Sequence, residues 1–106
     1  MARMTVWHFS EMAYPPAWPE GDAHGSYRVT LPNRLAEPEQ VAEIYHRHLD
    51  EFRLCDELGM NIMLNEHHST ATCLNAAVPL FLAVLARETR NARLLSLGTP
   101  IANRPD

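Results

Sequence analysis

Two hydrophobic periods alternate along this chain, and the switches between them mark its elements. Ile62, Met63 and Leu64 form an unbroken apolar run. Such a run suits a strand covered on both faces, as in a parallel sheet. Upstream, Val41, Ile44, Tyr45, His48, Leu49, Phe52, Cys55 and Leu58 recur at spacings of three and four. They make one helical stripe, with Glu43, Arg47, Asp50, Glu51 and Glu57 mostly off it. Pro38 fits the first turn of that helix, where a missing N–H costs nothing. Glu37 and Glu39 place negative charge at the positive end of its dipole. Gly59 fits a left-handed C-terminal cap. The pattern predicts a helix over 38–58 that delivers the chain onto a strand over 60–65.

The flanking segments extend this order. Thr5 to Phe9 is β-branched and aromatic, and predicts a first strand near 4–9. Ala76 to Ala86 is apolar nearly all round. Its length and alanine content predict a buried helix near 76–90, with Pro79 in the first turn. Arg93 to Leu97 predicts a third strand near 93–98, ending at Gly98-Thr99-Pro100. Right-handed crossovers make the three strands parallel. Between the first strand and the first long helix, about 15–37, Pro15, Pro16, Pro19, Gly21, Gly25 and Pro32 predict a long irregular loop. A loop of that length is read equally as a solvated insertion or as a functional segment. No helix pattern follows the third strand. Three parallel strands would keep two open edges, so the chain is read as the first part of a longer β/α protein, incomplete at its C-terminus.

Composition narrows the class. The 106 residues are 46% apolar and 21% charged, an ordinary globular balance. A net charge of −4 with no basic cluster argues against a nucleic-acid or anionic-membrane partner. No stretch approaches the roughly 18 apolar residues of a membrane span, and no export signal precedes Glu11. Cys55 and Cys73 lie in apolar surroundings and are read as reduced and buried, which fits a cytoplasmic protein.

The candidate chemistry follows the central strand directly, at Glu66-His67-His68. In open α/β sheets and β/α barrels, chemistry collects at the C-terminal ends of strands. Histidine is the side chain most readily used as acid or base near neutral pH. Glu66 is placed to orient one imidazole. A metal site is disfavoured, because two contiguous histidines without a helical HExxH pattern do not make a zinc ligand set. His8 is a lone strand histidine. His46 and His48 fall on opposite helix faces, with His48 on the core stripe. Ser69 and Thr70 have no triad partner at a recognisable spacing, and no glycine-rich phosphate loop is present. Trp7 and Trp18 are candidates for a pocket wall, with core packing the plainer reading of Trp7.

The run Asp56-Glu57-Leu58-Gly59-Met60-Asn61-Ile62-Met63-Leu64-Asn65-Glu66-His67-His68 resembles the second β/α unit of the bacterial luciferase-like flavin-dependent monooxygenases. That family carries a helix ending in D-x-x-G, a buried strand, then E-H-H. The segment Leu80 to Thr99 is also similar to the family's, with Ala86-Arg87-Glu88-Thr89 ahead of a strand ending Gly98-Thr99. The resemblance covers nearly the whole chain except the loop from Pro15 to about Pro32. It implies the first three β/α units of a TIM (β/α)8 barrel, in one domain spanning 1–106 and beyond. It implies reduced FMN (FMNH2), or deazaflavin F420, at the C-terminal face. A separate flavin reductase would supply FMNH2, and a peroxyflavin would oxidise a small organic substrate. The full-length enzyme would be a homo-oligomer. His67 matches the family's acid–base histidine, with Glu66 and His68 in support. Thr99, Pro100 and Ile101 match the flavin-facing bulge after the third strand, although Pro100 departs from the family's usual small residues. The alternative is a truncated, non-catalytic paralogue that associates with full-length subunits.

Overall fold

The computed structural model describes residues 4–99. A three-stranded parallel sheet has the order β1 (Trp7–Ser10), β2 (Asn61–Leu64), β3 (Leu94–Ser96). The register aligns Trp7 with Asn61 and Phe9 with Met63, and Met63 in turn with Leu95. The helices are α1 (Gly21–His24), α2 (Pro38–Glu57) and α3 (Val78–Glu88). The protein is therefore a mixed α/β fold with consecutive parallel strands joined by helical crossovers, as the hydrophobic periods predict. Among the described residues, no helix is long and apolar enough to cross a membrane.

The α2 stripe becomes the main core contact. Phe52 and Cys55 are buried against Ile62 and Leu64 of β2, and against Phe81 and Leu85 of α3. Phe52 meets Phe81 edge-on, with ring centroids 5.9 Å apart. Gly59 ends the helix with φ +74°, a left-handed turn that other residues rarely adopt. His48 lies buried on the same stripe, its Nδ1 3.2 Å from Glu51 Oε2. The other oxygen of Glu51 lies 3.0 Å from His8 Nε2, a close contact that is poorly aligned as a hydrogen bond.

Asp56 closes the N-terminal end of the sheet. Its carboxylate accepts the backbone N–H groups of Arg90, Asn91 and Ala92 at 2.9, 2.7 and 2.6 Å. This fixes the turn that carries α3 into β3. Burial works against the charge, but the three N–H groups outweigh it and hold the carboxyl below its ordinary range. Asn61 adds a second tie, donating to the Val6 carbonyl and accepting from the Arg93 N–H.

Three expectations need correction. The first strand begins at Trp7 rather than near residue 4, because its pairing with β2 starts at Asn61. The helix α3 is not buried all round: Leu80 is 73% exposed and Val84 44%. An apolar composition does not reveal which face meets the sheet, and here Val78, Phe81 and Leu85 do. The segment 15–37 is not irregular. It forms 3-10 turns at Pro15–Glu20 and Asn33–Leu35 around α1, and Ala17 and Leu31 enter the core. Gly21 makes one turn possible, since the Tyr27 ring lies where a Cβ would stand.

Candidate active site

Parallel strands bring all their C-terminal ends to one edge, and the chain beyond β1 and β2 assembles there. Tyr14 N–H donates to the Thr72 carbonyl, and Leu74 N–H to that of Met12. The 11–14 and 71–75 segments are thereby clipped together, with an antiparallel bridge between Ala13 and Cys73. Asn75 sets the position of the histidine loop. It accepts the His67 N–H through its carbonyl and donates its side-chain amide to the Asn65 carbonyl. Two residues beside the candidate side chains hold positive φ, Met12 at 50° and Ser69 at 61°. Such conformations cost energy and collect at functional turns.

His67 lies in this edge, its side chain 20% exposed. Its Nε2 is 3.0 Å from Asn65 Nδ2 and 3.7 Å from Glu11 Oε1. With the Asn65 amide in this orientation, Nδ2 donates and Nε2 accepts, so the ring proton sits on Nδ1. An imidazole with a carboxylate nearby is an arrangement that acid–base histidines use. Hydrogen bonding to the Arg28 guanidinium, at 3.0 and 3.3 Å, holds the Glu11 carboxyl below the usual carboxylate range.

Glu66 and His68 form a different pair. Glu66 Oε1 lies 3.1 Å from His68 Nε2, and its Oε2 accepts the Val78 N–H at 2.9 Å. The buried carboxylate thus caps the positive end of α3 and steadies His68. Glu66 supports the site by fixing the loop, while the side chains nearest the His67 ring nitrogen are Asn65 and Glu11. Thr99 is exposed beyond β3, its Oγ1 3.4 Å from Ser96 Oγ. Pro100 and Ile101 lie outside the described residues.

The 15–37 segment roofs a cavity of about 300 Å³ beside this cluster, lined by Glu11, Trp18, Tyr27, Arg28, Thr72 and Cys73. Trp18 Nε1 reaches the Thr72 carbonyl, and the Thr72 hydroxyl donates to the Tyr27 carbonyl. A second cavity of about 240 Å³, also lined by Cys73, includes His67, Ser69 and Tyr45. Burial, with the Glu11 charge second, pushes the Cys73 thiol up to about 11. Glu11, Asn65, Asn75 and Cys73 were absent from the sequence-based site. Only the position of Glu11 just past the first strand was a usable signal for any of them.

The fold and site together define a parallel α/β protein with an ionisable cluster and adjoining cavities at its strand ends. No family model, no curated protein and no solved structure matches the chain.

Proposed function

We propose that this chain forms the first three β/α units of a luciferase-like flavin-dependent monooxygenase of the TIM-barrel fold. The observation that carries the reading is the placement of His67. It stands at the shared C-terminal edge of parallel strands, beside Glu11 and two cavities. Active sites of β/α barrels occupy that edge. The opposite face of the sheet supports the barrel. Phe9, Met63 and Leu95 form an in-register apolar row away from the helices, with Phe9 43% and Leu95 40% exposed. A barrel interior is filled by such rows.

Reduced FMN, delivered by a separate reductase, supplies the oxygen-activating chemistry in this reading. F420 is the other cofactor the resemblance allows. The chain's own residues do the rest. His67 exchanges a proton through Nε2 at the strand edge. Asn65 holds its tautomer, Asn75 holds its backbone, and the 15–37 segment excludes water above it. In this reading the cofactor lies along the strand ends, with Thr99 beyond the far strand. The phosphate site of a TIM barrel commonly comes from loops after strands seven and eight, so this chain alone is expected not to bind FMNH2 tightly.

The test is stopped-flow turnover with reduced flavin in the longer protein that the reading requires. His67→Ala should slow turnover by about 10²- to 10⁴-fold, while the helix-surface change His46→Ala leaves it near the starting value. Equal rates for the two variants would remove His67 from the mechanism. A product that binds neither reduced FMN nor F420 would remove the proposal.

A further inference from the structure

Glu11, His67 and Cys73 present one ligand atom each, and the three atoms lie within 4.8 Å of one another. We propose that they form a binding site for a borderline-soft divalent cation, with zinc the preferred ion. The inference does not rest on the flavin reading, since it concerns binding by this chain itself.

The spacing suits a shared cation as well as a loose ion pair. His67 Nε2 and Glu11 Oε1 are 3.7 Å apart, too long for a hydrogen bond. Zinc bonds of about 2.0–2.3 Å in a tetrahedron put neighbouring ligand atoms about 3.3–3.8 Å apart. The histidine–carboxylate pair therefore already stands at the edge length of a zinc tetrahedron. Cys73 Sγ lies within 4.8 Å of both atoms and supplies the third corner. The donor types decide the ion. A thiolate and an imidazole select zinc-like metals, and magnesium or calcium would need oxygen ligands throughout.

A second observation supplies the fourth corner. Asn65 Oδ1 is buried and has no hydrogen-bond partner. The Nδ2 of the same amide lies 3.0 Å from His67 Nε2 and 3.5 Å from Glu11 Oε1. Turning the amide over exchanges the two atoms. The orphaned oxygen then faces the cation, and Nδ2 no longer competes for the His67 lone pair. The turn leaves Nδ2 in the buried position that Oδ1 held, so the bond to the cation has to offset an unpaired amide nitrogen there.

Two features limit the affinity. Arg28 already holds Glu11, and its positive charge opposes a cation. Cys73 must release its proton to solvent before it can ligate, and burial holds that proton tightly. An affinity on the order of micromolar is expected, far weaker than a structural zinc finger. Occupancy would take the His67 Nε2 lone pair, so a bound cation would exclude any acid–base role of that residue.

Cobalt(II) is the probe, added to the reduced, purified chain, because a thiolate ligand gives it a near-ultraviolet charge-transfer band. One equivalent should produce that band together with visible tetrahedral bands, and zinc should displace both. Cys73→Ser should abolish the charge-transfer band, and His67→Gln should weaken binding at least 10-fold. Arg28→Gln should tighten it several-fold, which a merely structural role for these residues would not produce. Circular dichroism of each variant separates lost binding from lost fold, and His46→Gln controls for surface histidines. A band that survives Cys73→Ser, or cobalt affinity equal across all variants, would overturn the assignment.

Discussion

At the N-terminal end of β2, Asp56 accepts three backbone N–H groups at 2.6–2.9 Å, and Asn61 ties down both neighbouring chain segments. At the C-terminal end, His67 and Glu11 stand 3.7 Å apart, and Asn65 Oδ1 is buried without a partner. Both edges border cavities, Asn61 lining one of about 310 Å³ at the N-terminal end. Asp56 and Asn61 are nevertheless taken up by backbone groups, whereas the side chains of Glu11 and His67 meet other side chains and line cavities. Matched polar groups fix a structure. Groups left open, beside strained turns at Met12 and Ser69, are available to a ligand. Asp56 and Asn61 hold the fold at one edge, while Glu11 and His67 at the other line cavities that can take a ligand.

The largest effect that could break this division is at Asp56. Asp56→Ala leaves three backbone donors without their charged acceptor and should cost on the order of 3 kcal/mol. Urea unfolding measures it. Glu11→Gln at the other edge should cost less than about 1 kcal/mol, because its partner Arg28 is largely exposed. A larger loss from Glu11→Gln than from Asp56→Ala would reverse the assignment of the two edges.

Acid should act on the structural groups in sequence. Burial keeps His48 neutral in the folded state below the pH at which the unfolded chain protonates, although Glu51 opposes this. The unfolded state then binds more protons, so stability falls as pH drops through about 6.5. Asp56 has the opposite charge type and a lowered folded-state value. Its contribution is complete above the unfolded carboxyl value of about 4 and is lost as pH falls through the folded one. Urea midpoints against pH should show both windows, and His48→Gln should remove only the upper one. Persistence of the upper window in His48→Gln would assign it to another group.

Smaller effects sharpen the same contrast. Arg28→Ala removes a solvent-screened ion pair and should leave the urea midpoint close to that of the parent. It should nevertheless speed hydrogen exchange in 21–30, since Arg28 ties that segment to Glu11. Leu80→Ser, on the exposed face of α3, should change stability by about 0.5 kcal/mol or less. The exposed Leu80 and Val84 and the open sheet face both favour self-association of this chain. On size exclusion Leu80→Ser should reduce it, and unchanged association would point to the sheet face instead.

What the sequence made legible follows from how local each signal is. Pro38 and Gly59 bound α2 because a proline at the first turn and a left-handed cap act on their own residues. The parallel topology followed from strand–helix alternation, and His67 from its place after Leu64. The partners of His67 did not follow. Glu11 and Cys73 reach it only after β1 pairs with β2 and Ala13 bridges Cys73, and no local pattern encodes that convergence. Glu66 was legible as a support, but its dual tie to His68 and Val78 depends on where α3 begins. The 15–37 segment looked irregular because its short turns are set by Leu31 and Tyr27 docking on the 70–75 loop, through long-range contacts such as Ala71 N–H to the Leu31 carbonyl.

The most direct measurement pairs turnover with stability for one variant from each edge, in the longer flavin-dependent enzyme proposed above. His67→Ala should lose about 10²- to 10⁴-fold in turnover while its urea midpoint stays near that of the parent. Asp56→Asn should lower the midpoint and keep most of the turnover under conditions where it is folded. His67→Ala with full turnover, or with a midpoint lowered as far as that of Asp56→Asn, would contradict the account.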